Sequence, residues 1–160
     1  MKRPLFIISV FLMSFLACVN GNEVSGQSRV FDRENIFTDE EVKELNEIID
    51  DFERETTNEI IVVTTDNIGD HERMVSYAVE FGNSHGVGKA GEDNGLVIAF
   101  SKTLRETFIA TGLSTEKILT DEVCQEIVDS LMVPEFKQEN YFTGIKSGLE
   151  GCIRLWRKGE

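Results

Sequence analysis

The chain has 160 residues, which suits one domain. Hydrophobic residues make up 41% and charged residues 28%, the balance of a soluble globular protein, so wholesale disorder and a multi-span membrane protein are excluded. With 16 Lys and Arg against 29 Asp and Glu the formal net charge is -13: the chain repels phosphate backbones, nucleic acid is excluded as a partner, and an acidic surface suits cations or basic partners.

Lys2 and Arg3 open the sequence, and the run from Pro4 to Ala17 is almost wholly apolar. It is shorter than the roughly 20 residues of a spanning helix, and has the length of a signal-peptide core. Phe15-Leu16-Ala17-Cys18 resembles a bacterial lipoprotein box, in which a small residue precedes a cysteine that becomes acylated and N-terminal. Phe15 stands where Leu is usual, which leaves a plain secretory signal as the alternative. The expected division is a signal peptide over 1–17, lipidation at Cys18, a flexible polar tether over 18–30 and a folded domain over 31–157. The expected location is the extracytoplasmic or periplasmic face of the cell envelope, with a lipid in a membrane.

In the domain, Thr38 with Glu41 three residues on forms a capping box, and Val42, Leu45, Ile48, Ile49 and Phe52 repeat at helical spacing to about Thr56. The β-branched run Ile60 to Thr65 predicts a buried central strand. Asn67-Ile68-Gly69 turns the chain, and Asp70 is expected to cap a helix through Met74, Tyr77, Ala78 and Phe81. A glycine-rich connector from Gly86 to Gly95 leads to a second buried strand, Leu96 to Phe100. A tight turn then returns the chain along Glu106 to Thr111 as an antiparallel third strand. Thr120 caps a helix through Val123, Ile127, Val128 and Leu131 that should stop before Pro134, and a last helix aligns Phe142, Ile145, Leu149, Cys152 and Trp156. The fold class is α/β, a small mixed sheet with helices on both faces, and the crossover between the first two of these strands should be right-handed.

Common catalytic templates fail on inspection. Gly82-Asn83-Ser84-His85-Gly86 spells a nucleophile elbow, but helix precedes the serine and a glycine-rich loop follows it. Gly86-Val87-Gly88 lacks the third glycine and the helix of a dinucleotide turn, and Ala90 occupies the first ligand position of an EF-hand spacing. His71 and His85 stand apart from any metal motif. Cys124 and Cys152 sit on apolar stripes, as buried free thiols do, although an oxidising envelope permits a disulfide between them.

Oxygen ligands do collect at strand ends. Asp93 and Asn94 precede the second strand, Glu116 and Asp121 follow the third, and an antiparallel pairing brings these four to one rim. Hard oxygens without soft ligands suit Ca²⁺ or Mg²⁺. The competing structural account makes Asp93-Asn94-Gly95 a turn and Asp121 a stabiliser of a helix N-terminus.

The pieces Ile60 to Thr65 with Gly69, Gly86-Val87-Gly88, Asp93-Asn94-Gly95-Leu96-Val97-Ile98, Gly112 with Glu116 and Asp121, and Val133-Pro134-Glu135-Phe136 ahead of Tyr141, Gly144 and Ile145 occur in one order. In that order, from about Phe31 to Trp156, the chain resembles the TPM domain, a family of extracytoplasmic domains of bacterial envelopes and thylakoids. His85 stands where the family often has Trp. The resemblance implies a three-layer α/β/α sandwich, a divalent-cation site near Asp93, Glu116 and Asp121, and an association with phosphatase activity and envelope maintenance. Two functions follow as expectations. One is a metal-dependent phosphatase acting on phosphate esters; the other is a calcium-stabilised interaction module for envelope proteins, without chemistry.

Overall fold

In a computed structural model, residues 27–159 are described; the expected signal peptide, Cys18 and residues 18–26 of the tether lie outside them. The elements are β1 (Val30–Asp32), α1 (Asp39–Thr56), β2 (Glu59–Thr64), α2 (Met74–Ser84), β3 (Gly95–Ser101), β4 (Glu106–Thr111), α3 (Asp121–Ile127), a π-helical turn (Val128–Met132), α4 (Val133–Phe136) and α5 (Tyr141–Gly159). A short 3-10 turn, Thr115–Lys117, precedes α3.

Helix α1 begins as its sequence requires: the Glu41 N–H donates to Thr38 Oγ1 at 3.2 Å, and the Thr38 N–H donates to Glu41 Oε2 at 2.8 Å. It ends at Thr57, whose backbone is left-handed at φ 67°. The sheet order is β1-β2-β3-β4, with β1–β2 and β2–β3 parallel and β3–β4 antiparallel. Because side chains alternate along a strand, the sheet presents two apolar faces. Ile60, Val62, Leu96, Ile98 and Ile109 meet α1, α3 and α5 on one face; Ile61, Val63, Val97, Ala99 and Ala110 meet α2 on the other. This is the expected mixed-sheet α/β/α sandwich. The chain steps the same way along the sheet in both parallel crossovers, yet α1 and α2 cover opposite faces, so the two crossovers have opposite hands.

Four local expectations are corrected. The fold starts within the expected tether: the Arg29 N–H donates to Asn46 Oδ1 at 2.7 Å, and Val30 is buried and paired with Val62 in β1. Three residues are too few to show a strand's period. Asp70 does not cap α2, which starts at Met74 with Arg73 at the cap position. Gly69, at φ 62°, turns the chain first, and the Met74 N–H donates to Glu106 Oε2 at 3.3 Å. The cap thus arrives from β4, out of reach of a local pattern. The helical path does not stop before Pro134 either. The π turn ends one hydrogen-bond register, α4 opens another, and Pro134 falls in its first turn, where no N–H is called on. Finally, β3 extends a residue past each expected end, to Gly95 and Ser101.

Candidate functional site

The expected rim lies at the Gly95 end of β3, where two loops are closed against each other by backbone and amide hydrogen bonds. Asn94 is buried. Its Oδ1 accepts the Lys89 N–H at 2.8 Å, and its Nδ2 lies 3.2 Å from both Thr57 O and Asn58 Oδ1 and 3.1 Å from Glu92 Oε2. Glu59 Oε2 accepts the Gly88 N–H at 2.8 Å and holds the start of the same loop. Asp93 is left-handed at φ 49°, and its carbonyl accepts the Ser114 N–H at 3.2 Å. Gly112 is required here for close approach: a Cβ on it would lie 2.2 Å from the Asp93 carbonyl oxygen. The Glu116 N–H then donates to Gly112 O at 2.9 Å, so the loops carrying Asp93 and Glu116 abut as the sequence suggested.

The four expected ligands are placed unequally. The carboxylates of Asp93, Glu116 and Asp121 are exposed, with no ion pair or side-chain hydrogen bond among the described residues. Thr115 Oγ1, fully buried in the turn that carries Glu116, also lacks a hydrogen-bond partner among the described residues. Asn94 is a clip for its loop, its carbonyl oxygen already accepting one bond. Asp121 opens α3 behind the Thr120 cap and shares a shallow acidic surface with Glu122, Glu126 and Asp129. Among the described residues, no group of three or more His, Cys, Asp and Glu side chains stands close enough to hold a metal ion. The oxygen chemistry therefore suits a hard cation drawn in between two loops, whereas a ready-made cage is not what these side chains form.

The opposite end of β3, roughly 20 Å away at a strand's rise per residue, has the reverse character. A cavity of about 450 Å³ opens between the β3–β4 turn and α4. Lys102, Arg105 and Lys137 stand around it, exposed and without ion pairs among the described residues. Its wall is aromatic: Phe136 and Tyr141 pack on Phe100 with ring centroids at 4.5 and 5.6 Å, and Lys102 Nζ lies 4.9 Å from the Tyr141 ring. Gly144 seats Phe136, because a Cβ on it would meet that ring at 2.4 Å of its nearest atom. Phe136, Tyr141 and Gly144 belong to the family-like run of the sequence, but no pattern joins the three cations to them. The three cations are scattered over 36 positions, and only the β3–β4 hairpin and the continuation of the helical path through Pro134 bring them together.

The remaining candidates have ordinary roles. Ser84 ends α2 and donates to Phe81 O at 3.0 Å, and His85 caps that helix while stacking on Phe81 with centroids 3.9 Å apart. His71 Nε2 lies 3.5 Å from Glu80 Oε2. Cys124 and Cys152 are free and buried; burial pushes the Cys124 thiol up to about 11 and raises Cys152 as well, which disfavours the thiolate form of both. Among the described residues no helix is long and apolar enough to cross a membrane.

Solved structures share the fold. The N-terminal domain of a protein from P. gingivalis superposes with a TM-score of 0.76 at 22% identity, over 85% of this chain and 86% of that one. BA42 from the psychrophilic bacterium Bizionia argentinensis gives 0.65 at 20% identity, over 79% and 85%. The N-terminal domain of the cg2496 protein from Corynebacterium glutamicum gives 0.61 at 18% identity, over 84% and 81%. No curated protein matches the chain. The family model described as the TPM domain matches residues 30–155, nearly the whole described structure, and the chain therefore belongs to the TPM-domain family.

Proposed function

We propose that this TPM domain is an extracytoplasmic binding module of the cell envelope, held to a membrane by a lipid on Cys18, and that it works on envelope proteins without hydrolysing phosphate esters. The observation that carries this reading is the separation of charge along β3. A metal-dependent phosphatase needs its cation and the groups that receive the phosphate at one place, since the metal both holds a phosphoryl oxygen and activates water. Here the oxygen donors of Asp93 and Glu116 lie at one end of the sheet, with the exposed Lys89 and Lys117 on the same loops, and the cavity ringed by Lys102, Arg105 and Lys137 lies at the other. A calcium or magnesium ion would be held by Asp93 and Glu116 and would draw their two loops together. Its work there is to stabilise the rim.

The test uses the purified full chain. Calcium at millimolar concentration should raise the melting temperature, because a ligand bound only by the folded state stabilises it by about 2.7 kcal/mol at a hundredfold excess over Kd. Asp93→Ala should remove that rise, and turnover of a phosphate ester should stay at background with either cation. Cation-dependent turnover that disappears in Asp93→Ala would overturn the binding reading in favour of the phosphatase.

A further inference from the structure

The walls of the basic cavity at the Ser101 end of β3 also close the fold, through Phe100, Phe136 and the Glu106 cap, but its three cations make no ion pair among the described residues. Three such cations line one cavity on a chain of net charge -13, a place suited to receiving an anion. Glu106 and Glu139 line the same cavity and Glu34 accepts the Lys102 and Thr103 N–H groups beside it, so three carboxylates stand among the three cations and the local charge is near zero. Such a site suits a monoanion better than a phosphate monoester, whose nearly doubled charge at neutral pH would meet the acidic field of the rest of the molecule unmatched. Below the cations lie the faces of Phe136 and Tyr141, and the Tyr141 hydroxyl makes no hydrogen bond among the described residues. Aromatic walls with a few polar groups at the mouth, in a cavity of this size, are the usual make-up of a site for a small organic molecule.

We propose that this cavity binds a monocarboxylate carrying a flat apolar body, the carboxylate among Lys102, Arg105 and Lys137 and the body against Phe136 and Tyr141. The shared chemistry has two sources, a free aromatic carboxylate or the terminal carboxylate of a peptide ending in an aromatic residue. The inference rests on the binding reading above, but its test involves neither cation nor turnover, so each can fail without the other.

The experiment is a titration of the full chain followed by amide chemical shifts. Phenylpropanoate should shift residues 100–107 and 136–141 saturably, and phenylpropanol, which lacks the charge, should not. Acetate, which lacks the body, should bind about tenfold more weakly. Arg105→Gln with Lys137→Gln, both exposed positions, should weaken phenylpropanoate by about tenfold or more while the other amide shifts stay in place. Ala-Ala-Phe with a free carboxylate binding more tightly than phenylpropanoate, and its amide not binding, would identify a chain terminus as the source; phenylpropanoate binding more tightly than the peptide would identify a free acid. Absence of saturable shifts in this cavity, an unchanged affinity in the double variant, or tighter binding of phenyl phosphate than of phenylpropanoate would each overturn the proposal.

Discussion

The two ends of β3 are built by different means. At the Gly95 end, loops are locked by short-range contacts that tolerate no added atom: Gly112 lies against the Asp93 carbonyl, and the buried Asn94 amide joins its own loop to the Thr57–Asn58 turn. At the Ser101 end the aromatic packing and the Glu106 cap also hold the fold, but the exposed side chains of Lys102, Arg105 and Lys137 stand around an open cavity without ion pairs among the described residues. The first end is closed by backbone and amide contacts, and the second leaves cations exposed for a ligand. The family resemblance touches both ends, through Asp93-Asn94-Gly95 and Gly112 at the first and Val133 to Phe136 with Tyr141 and Gly144 at the second, but it includes none of the three cations.

This contrast can be broken by mutation. The largest effect is expected for Gly112→Ala, which forces a methyl group into the Asp93 carbonyl and should cost about 3 kcal/mol; urea unfolding checks it, and a loss below the error of the method would mean that the loops part easily. Asn94→Ala leaves the Lys89 N–H and the Thr57 carbonyl without their partner and should cost about 2 kcal/mol by the same measurement.

A smaller effect lies where β2 meets α1, on the same end. Glu53 Oε2 accepts from Arg29 at 2.9 Å and Oε1 accepts the Ile60 N–H at 3.1 Å, yet burial outweighs these bonds and holds its carboxyl above the ordinary value of 4.5. The folded state then binds this proton more tightly than the unfolded chain does. The group's contribution is therefore complete below about 4.5 and is lost as pH rises through the raised folded value. Glu53→Gln should flatten that part of the stability–pH curve, measured by thermal unfolding between pH 4 and 7. A steeper slope in the variant would show that the ion pair with Arg29 dominates instead. The smallest effect belongs to the other end: Arg105→Gln with Lys137→Gln should change stability by no more than about 0.5 kcal/mol, and a larger loss would mean that the cavity's cations support the fold.

The same contrast explains what could be read from the chain. The Thr38–Glu41 capping box, the β-branched run of β2 and the antiparallel return of β4 are local patterns, and each is present as expected. The abutting of the Asp93 and Glu116 loops was also legible, because one antiparallel hairpin fixes it. What escaped depends on distant partners. β1 has three residues and gains its strand character from Val62, Val63 and Thr64; α2 is capped by Glu106 in place of Asp70; and the helical path survives Pro134 through a change of hydrogen-bond register. The cavity is the extreme case. Lys102, Arg105 and Lys137 carry no pattern among themselves, and an unpaired cation is invisible until every carboxylate has been placed.

The central claim, that cation and anion chemistry are kept at opposite ends of β3, is tested most directly by titrating calcium into the full chain and following every amide shift. The expected result is change confined to residues 88–95 and 112–117 while 100–107 and 136–141 stay unmoved. Calcium shifts at Lys102, Arg105 or Tyr141 as large as those at Asp93 would contradict it, because the two ends would then act as one site.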